Sequence, residues 1–153
     1  MQEVPFRVEI TDVLLEVNKH TDFVNDPSAG AIATFTGVTR NNFNGKKVER
    51  LEYEAYGPMA QKILTDLCRE ALDKWNVKKI SIAHRTGRVE VGEASVIIAV
   101  SSAHRAEALQ AVHWLIDELK GRAPIWKKEY YEGGEVWKEN TESQIHSFPR
   151  IVK

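Results

Sequence analysis

Residues 31–56 read AIATFTGVTRNNFNGKKVERLEYEAY. Ala31 to Arg40 and Val48 to Tyr56 are two runs with the β-branched and aromatic bias of strands. The second alternates, with Leu51, Tyr53 and Ala55 on one face and Glu52, Glu54 and Tyr56 on the other, as a strand with one buried face must. Between them, Asn41-Asn42-Phe43-Asn44-Gly45-Lys46 contains Asn-Gly, two residues that tolerate positive φ and so close tight turns. The expectation is a hairpin with a long tip. Gly37 inside the first run marks a bulge or the close approach of another backbone. Two strands in succession break the strand–helix alternation of a doubly wound sheet, so the fold class expected is α+β.

Working outward, Gly57-Pro58 opens a helix to about Trp75, with Met59, Ile63, Leu67 and Ala71 in one stripe and Ala60, Leu64, Cys68 and Leu72 beside it. Cys68 therefore reads as a small buried thiol. Lys79 to Thr86 and Ser95 to Ser101 read as strands, with Glu90-Val91-Gly92-Glu93 near their turn. A second helix is expected from His104 to Lys120, with Ala106, Leu109, Val112, Ile116 and Leu119 inward and Gly121 and Pro124 ending it. Ile125 to Tyr131 and Glu135 to Lys138 form a closing hairpin around Gly133-Gly134. At the other end, Val4 to Ile10 reads as a strand, Asp12 to Lys19 as a short helix carrying Val13, Leu14 and Val17, and Thr21 to Gly30 as a loop. The 153 residues suit one domain over 1–140 followed by a loosely held tail, 141–153.

Composition narrows the function. Lys and Arg number 21 against 22 for Asp and Glu, so bulk attraction to nucleic acid or an anionic membrane is not expected, and anion binding must come from a local cluster. One cysteine permits neither an intrachain disulfide nor a cysteine-based zinc site. His20, His113 and His146 have no metal-ligand spacing, and no Gly-rich phosphate loop or nucleophile elbow is present. No basic stretch followed by an apolar one opens the chain, and no apolar run approaches the ~20 residues of a membrane helix. A cytoplasmic protein is the expectation.

Three places carry possible chemistry. Ser101-Ser102-Ala103-His104-Arg105 sets His104 and Arg105 at a helix N-terminus, where cations are unfavourable unless an anion sits among them. Arg40 ends its strand beside the hairpin tip. Leu119 to Glu129, LKGRAPIWKKE, holds four cations and one carboxylate. In a strand Trp126 and Lys128 share one face, and Lys127, Glu129 and Tyr131 the other. With Trp126 packed inward, Lys127 would face a cleft shared with Lys120. Neighbouring ammonium groups lower each other's pKa, which suits a lysine to proton transfer or covalent chemistry. His84-Arg85 reads as structural.

Three segments together resemble the large catalytic subunit of molybdopterin synthase in order and spacing. They are Thr34-Phe35-Thr36-Gly37-Val38-Thr39-Arg40-Asn41-Asn42, Ser101-Ser102-Ala103-His104-Arg105, and Leu119-Lys120-Gly121-Arg122-Ala123-Pro124-Ile125-Trp126-Lys127-Lys128-Glu129. Leu51 to Tyr56 followed by Pro58-Met59-Ala60 fits as well, so the resemblance spans residues 5–140. It implies an α/β hammerhead-type fold with an additional small antiparallel sheet. It also implies a homodimer of large subunits within a heterotetramer, with a small ubiquitin-like sulfur-carrier subunit at each end. The carrier's C-terminal Gly-Gly thiocarboxylate would enter a pocket and pass sulfur to cyclic pyranopterin monophosphate, building the dithiolene. Carried over by position, Val38, Thr39, Arg40, His104, Arg105, Lys120, Lys127, Lys128 and Glu129 would bind substrate, with Lys120 and Lys127 catalytic. No metal or cofactor is implied. In some members a neighbouring protomer adds an arginine; the aligned position here is Thr141.

Two rival readings remain at this level. One is a non-enzymatic adaptor that docks a ubiquitin-like Gly-Gly tail. The other is an RNA-binding module that stacks bases on Trp126 and Tyr130, disfavoured by the balanced charge and by an inward Trp126.

Overall fold

A computed structural model describes residues 4–139 of the chain. Its centre is the strand Ala94–Ser102 (β7), buried from Ser95 onward. A strand this apolar on both faces needs cover on both sides. It lies in a four-stranded sheet with β1 (Phe6–Thr11), β5 (Val77–Arg85) and β2 (Ala31–Val38), in the order β1-β5-β7-β2. β1 runs parallel to β5, and the other pairs are antiparallel.

One face carries two helices, α2 (Gly57–Lys74) and α3 (Arg105–Arg122), whose Leu64, Leu67, Leu115 and Leu119 pack on Ile80, Ile82, Ile98 and Val100. The alternate residues Ala83 and Ile97 point the other way, onto Leu15. That second face is covered by α1 (Val17–Val24) through buried His20 and Val24, with His20 Nδ1 2.7 Å from Ser81 Oγ. The inner face of α3 is Ala108, Ala111, Val112, Leu115, Ile116 and Leu119. The expected inward residues Ala106 and Leu109 are exposed, Leu109 by 58%.

The second sheet is antiparallel, β3 (Asn42–Phe43), β4 (Lys46–Ala55), β8 (Ile125–Tyr131) and β9 (Gly134–Glu139) in that order, with β6 (Gly87–Glu90) also paired to β4. Its own core holds Val48, Leu51, Tyr53, Val89, Ile125 and Tyr131, closed by Ala60 from α2. The expected α+β class with an additional antiparallel sheet is what the molecule shows.

Two local expectations are corrected. The Asn-Gly turn is real, with Asn44 at φ 53° and Gly45 at φ 79°, but it joins β3 to β4. β2 instead pairs with β7 in the other sheet, so the two strands of 31–56 are not partners. The first helix starts at Val17, not Asp12, and runs through Thr21–Val24, part of the expected loop. The reason is that its buried face is His20 and Val24, while Val13 and Leu14 are 64% and 52% exposed. The turn expected over Glu90 to Glu93 is present at Val91 and Gly92, and residues 87–90 before it form a short strand because Val89 completes the second core. The Cys68 side chain is buried in the first core, as its stripe implied. The expected C-terminal tail, 141–153, with Thr141, lies outside the described residues.

Two glycines bear opposite loads. A Cβ on Gly30 would run into the Ala103 carbonyl oxygen, part of the turn entering α3. Gly121, inside α3, has open space around it and helical φ. Gly30→Ala should cost ~1–3 kcal/mol by overpacking, read as a lower urea midpoint at unchanged slope. Gly121→Ala should raise the midpoint, by ~0.4–1 kcal/mol, through reduced unfolded-state entropy. Equal midpoints for both variants would show that the Gly30 turn yields freely.

Candidate functional site

The pocket lies where the two sheets meet, and the chain builds it by crossing between them. β2 follows β7 up to Gly37, its register shifts between Gly37 and Val38, and Thr39 and Arg40 lead into β3 of the other sheet. From the far side, the last turns of α3 bring Lys120 and β8 brings Lys127 and Glu129. Together with Phe35, Tyr53, Val96 and other apolar side chains, these groups line a cavity of about 320 Å³. Arg40 is exposed at its edge, with the guanidinium 5.6 Å from the Phe43 ring centroid. Val38 is exposed and Thr39 buried, both on the wall. The Thr39 backbone is fixed by Glu93 and Gly92, while its Oγ1 is buried without a hydrogen-bond partner among the described residues.

Strand alternation explains why Lys127 and Glu129 enter the pocket. Ile125, Lys127, Glu129 and Tyr131 share one face of β8, and Ile125 and Tyr131 belong to the second core. That face must therefore point inward. Lys127 Nζ stands 3.6 Å from Glu129 Oε2, and the Tyr131 hydroxyl donates to Glu129 Oε1. A carboxylate this buried would be costly alone; the ammonium and the phenol offset its desolvation. The facing expected for Trp126 is corrected: it is 39% exposed and points outward. The aromatic residue yielded its place because the inner positions of β8 close a small core and reach the pocket.

The outward face removes one argument against RNA and supplies another. Arg50, Arg88 and Lys128 lie there among Glu52, Glu54 and Glu90, with Arg50 3.3 Å from Glu52 and Arg88 paired to Glu90. Among the described residues three cations are matched there by three carboxylates, a balance that does not favour collecting phosphates.

The sequence reading assembled nine site residues, and the structure gathers six: Val38, Thr39, Arg40, Lys120, Lys127 and Glu129. Lys128 is on the outer face, its Nζ 5.2 Å from the Tyr130 ring. His104 and Arg105 are exposed at the start of α3, roughly 22 Å along the helix from Lys120 at 1.5 Å per residue. His104 does not cap that helix with its side chain. Ser102 does, accepting from Ala108 N and donating to the His104 carbonyl. Phe43, Tyr53 and Ser95 line the pocket without having been singled out. Alternation had put Tyr53 on the buried face of its strand, but nothing in the sequence said that this face abuts Lys120.

No thiol lines the pocket. Burial pushes the Cys68 thiol up to about 12, which makes it inert. Behind the pocket, His84 is buried with its Nδ1 2.8 Å from the Arg85 carbonyl, and desolvation pushes it down to about 4. The Arg85 side chain pairs with Glu93 at 3.0 Å. Among the described residues, no three His, Cys, Asp or Glu side chains gather as a metal site, and no helix is long and apolar enough to cross a membrane.

Fold and site define an α+β protein whose pocket, at the junction of two sheets, is lined by three cationic side chains and no thiol. The chain belongs to the MoaE protein family, whose model matches residues 10–122. The molybdopterin synthase catalytic subunit of Arabidopsis thaliana is 57% identical over 128 residues, 84% of this chain and 65% of that protein. The subunit of the same name from Homo sapiens is 53% identical over 135 residues, 88% of this chain and 72% of that protein. The chain thus spans just under two thirds of its plant relative. A crystal structure of molybdopterin synthase from Staphylococcus aureus superposes with a TM-score of 0.82 at 40% identity, covering 85% of this chain and 95% of that one.

The buried histidines give a pH dependence. Folded His84 titrates near about 4, against 6.5 for an unperturbed imidazole, so below about pH 6.5 the unfolded chain takes up a proton that the folded chain refuses. Stability should therefore be flat above pH 7 and fall by on the order of 3 kcal/mol between pH 6.5 and 4 from this residue. His20, also lowered mainly by burial, acts in the same direction. Urea unfolding of His84→Gln should show a correspondingly flatter acid limb. Superimposable profiles for variant and parent would contradict the assignment.

Proposed function

We propose that the chain is the catalytic subunit of a cytoplasmic molybdopterin synthase. It would take sulfur from the C-terminal thiocarboxylate of a small ubiquitin-like Gly-Gly carrier and pass it to cyclic pyranopterin monophosphate. The observation that carries this reading is the pocket itself, where Arg40, Lys120 and Lys127 line a 320 Å³ cavity and the chain's one thiol is buried elsewhere. A reaction whose sulfur arrives on a partner needs no resident nucleophile. It needs cations for a cyclic phosphate and a chain terminus, and groups that carry protons.

Arg40 is the guanidinium for the anion. Lys127, held by buried Glu129, is a fixed ammonium that polarises the oxygen leaving the attacked carbon. Lys120 gives and takes the proton. His104 and Arg105 complete the anion site from a second copy of the chain, because in one copy they stand at the wrong end of α3. β2 offers the means: it is an edge strand with neither charge nor proline. Antiparallel pairing of two β2 strands would set the Ala31 end of one copy, bonded to Ser102, beside Val38 and Arg40 of the other.

Turnover should require the thiocarboxylated carrier, while the plain carboxylate form binds without reaction; such binding with no pterin conversion under either condition would leave the adaptor. Lys120→Arg should lose at least ~10²-fold in kcat with carrier affinity unchanged, since a guanidinium keeps its proton. Full activity in that variant would leave Lys120 a point charge only. Arg105→Ala and Lys120→Ala chains, each inactive, should regain activity when unfolded together and refolded; failure to complement places both groups in one copy's site.

A further inference from the structure

We propose that Arg85 is a positioning residue for the pocket wall at Thr39 and Arg40: acting through Glu93, its guanidinium anchors the turn to which that segment is bonded. This rests on the reading of Arg40 as the group that binds the anion.

After the register shift between Gly37 and Val38, β2 runs out of strand to pair with, because Val38 already faces Ala94, the first residue of β7. What holds the next residue is the turn over 90–93, closed by the Glu93 N–H donating to the Glu90 carbonyl at 3.0 Å. The Gly92 N–H donates to the Thr39 carbonyl at 2.9 Å, and the Thr39 N–H donates to the Glu93 carbonyl at 3.2 Å. Thr39 and Arg40 both line the pocket. Where they stand therefore follows where this turn stands.

Packing does little to hold the turn. Val91 is 42% exposed, and Gly92, at φ 86°, has open space where a Cβ would lie. The Glu93 carboxylate supplies the anchor. Its Oε1 accepts from the Glu90 N–H at 2.9 Å and from Arg85 Nη1 at 3.0 Å. Arg85 is the last residue of β5, with its side chain 13% exposed, and the N–H of the following Thr86 donates to the Thr11 carbonyl of β1 at 2.8 Å. The turn is thus tied by a side chain to the rigid part of the first sheet. Arg85 Nε is buried without a hydrogen-bond partner among the described residues, a cost that leucine or methionine would avoid. A side chain needed only to fill this space would carry no charge.

The test reads the turn first, without turnover. In the full chain, Arg85→Met should speed hydrogen exchange at the Thr39 and Gly92 amides about 10-fold and leave the β2 amides before Gly37 unchanged. With thiocarboxylated carrier, KM for the cyclic pterin phosphate should rise about 5-fold, with kcat within about twofold of the parent. Arg85→Lys should restore most of both, since the contact uses one guanidinium nitrogen. In an Arg40→Ala background, Arg85→Met should raise KM no further, because both changes act through one group. Where Arg85→Met does not fold, Glu93→Gln, which keeps an oxygen for the Glu90 amide and removes the charge paired with Arg85, should show the same exchange and the same non-additive rise in KM. A Thr39 amide that does not move in a folded variant overturns the proposal. So does a KM that is unchanged where Arg40→Ala raises it, or KM effects that multiply in the double variant. A faster Thr39 amide together with an unchanged KM in Arg40→Ala itself supports the anchor and overturns instead the reading of Arg40.

Discussion

A side chain at position 37 would have no room: a Cβ there would lie 2.7 Å from Val96 Cγ1. That contact between β2 and β7 is the constraint on which the site depends. It lets β2 hug the central strand, shift its register at the next residue, and leave the first sheet for the second. Thr39 and Arg40 lie on the crossing, so they face the gap between the sheets instead of extending either one. The gap is closed on its other side by the end of α3 and the inner face of β8. Sheet packing decides where each of these segments ends, and the cationic groups are found at those ends.

Charge is handled differently on the two faces of the second sheet. Outside, cations and carboxylates alternate along neighbouring strands in water, where each pair is worth little. Inside, one carboxylate, Glu129, is shared between an ammonium and a phenol in a largely apolar wall. Removing either partner there weakens the compensation of a buried charge, which is more costly than losing an exposed pair. The inner face of β8 is thus constrained twice, by core closure at Ile125 and Tyr131 and by charge pairing at Lys127 and Glu129.

Period and turn chemistry made much of this legible in the sequence. The alternation of Leu51, Tyr53 and Ala55, the Asn-Gly turn, the close approach at Gly37 and the burial of Cys68 all follow from local rules. Partner choice did not, because two strands adjacent in sequence carry no mark of belonging to different sheets. The first helix was misplaced since exposed Val13 and Leu14 mimic an apolar face, whereas the buried one includes a histidine bonded to Ser81. Trp126 was turned the wrong way because size suggested burial, while the core needed its neighbours. Arg40, Lys120 and Lys127, far apart in the chain, line one pocket. His104 and Arg105 lie outside that pocket, at the far end of α3 from Lys120.

α3 runs from Arg105 to Arg122 without proline, and its one glycine lies next to Lys120. The spacing between its two charged ends is therefore set by a count of hydrogen-bonded turns, not by side-chain packing. Such a helix is a ruler. Packing can loosen with temperature or mutation, but the separation of its ends stays a fixed number of peptide units. An inserted or deleted residue within it would rotate one end about 100° relative to the other. The helix thus tolerates exchange of its surface side chains far better than any change in its length.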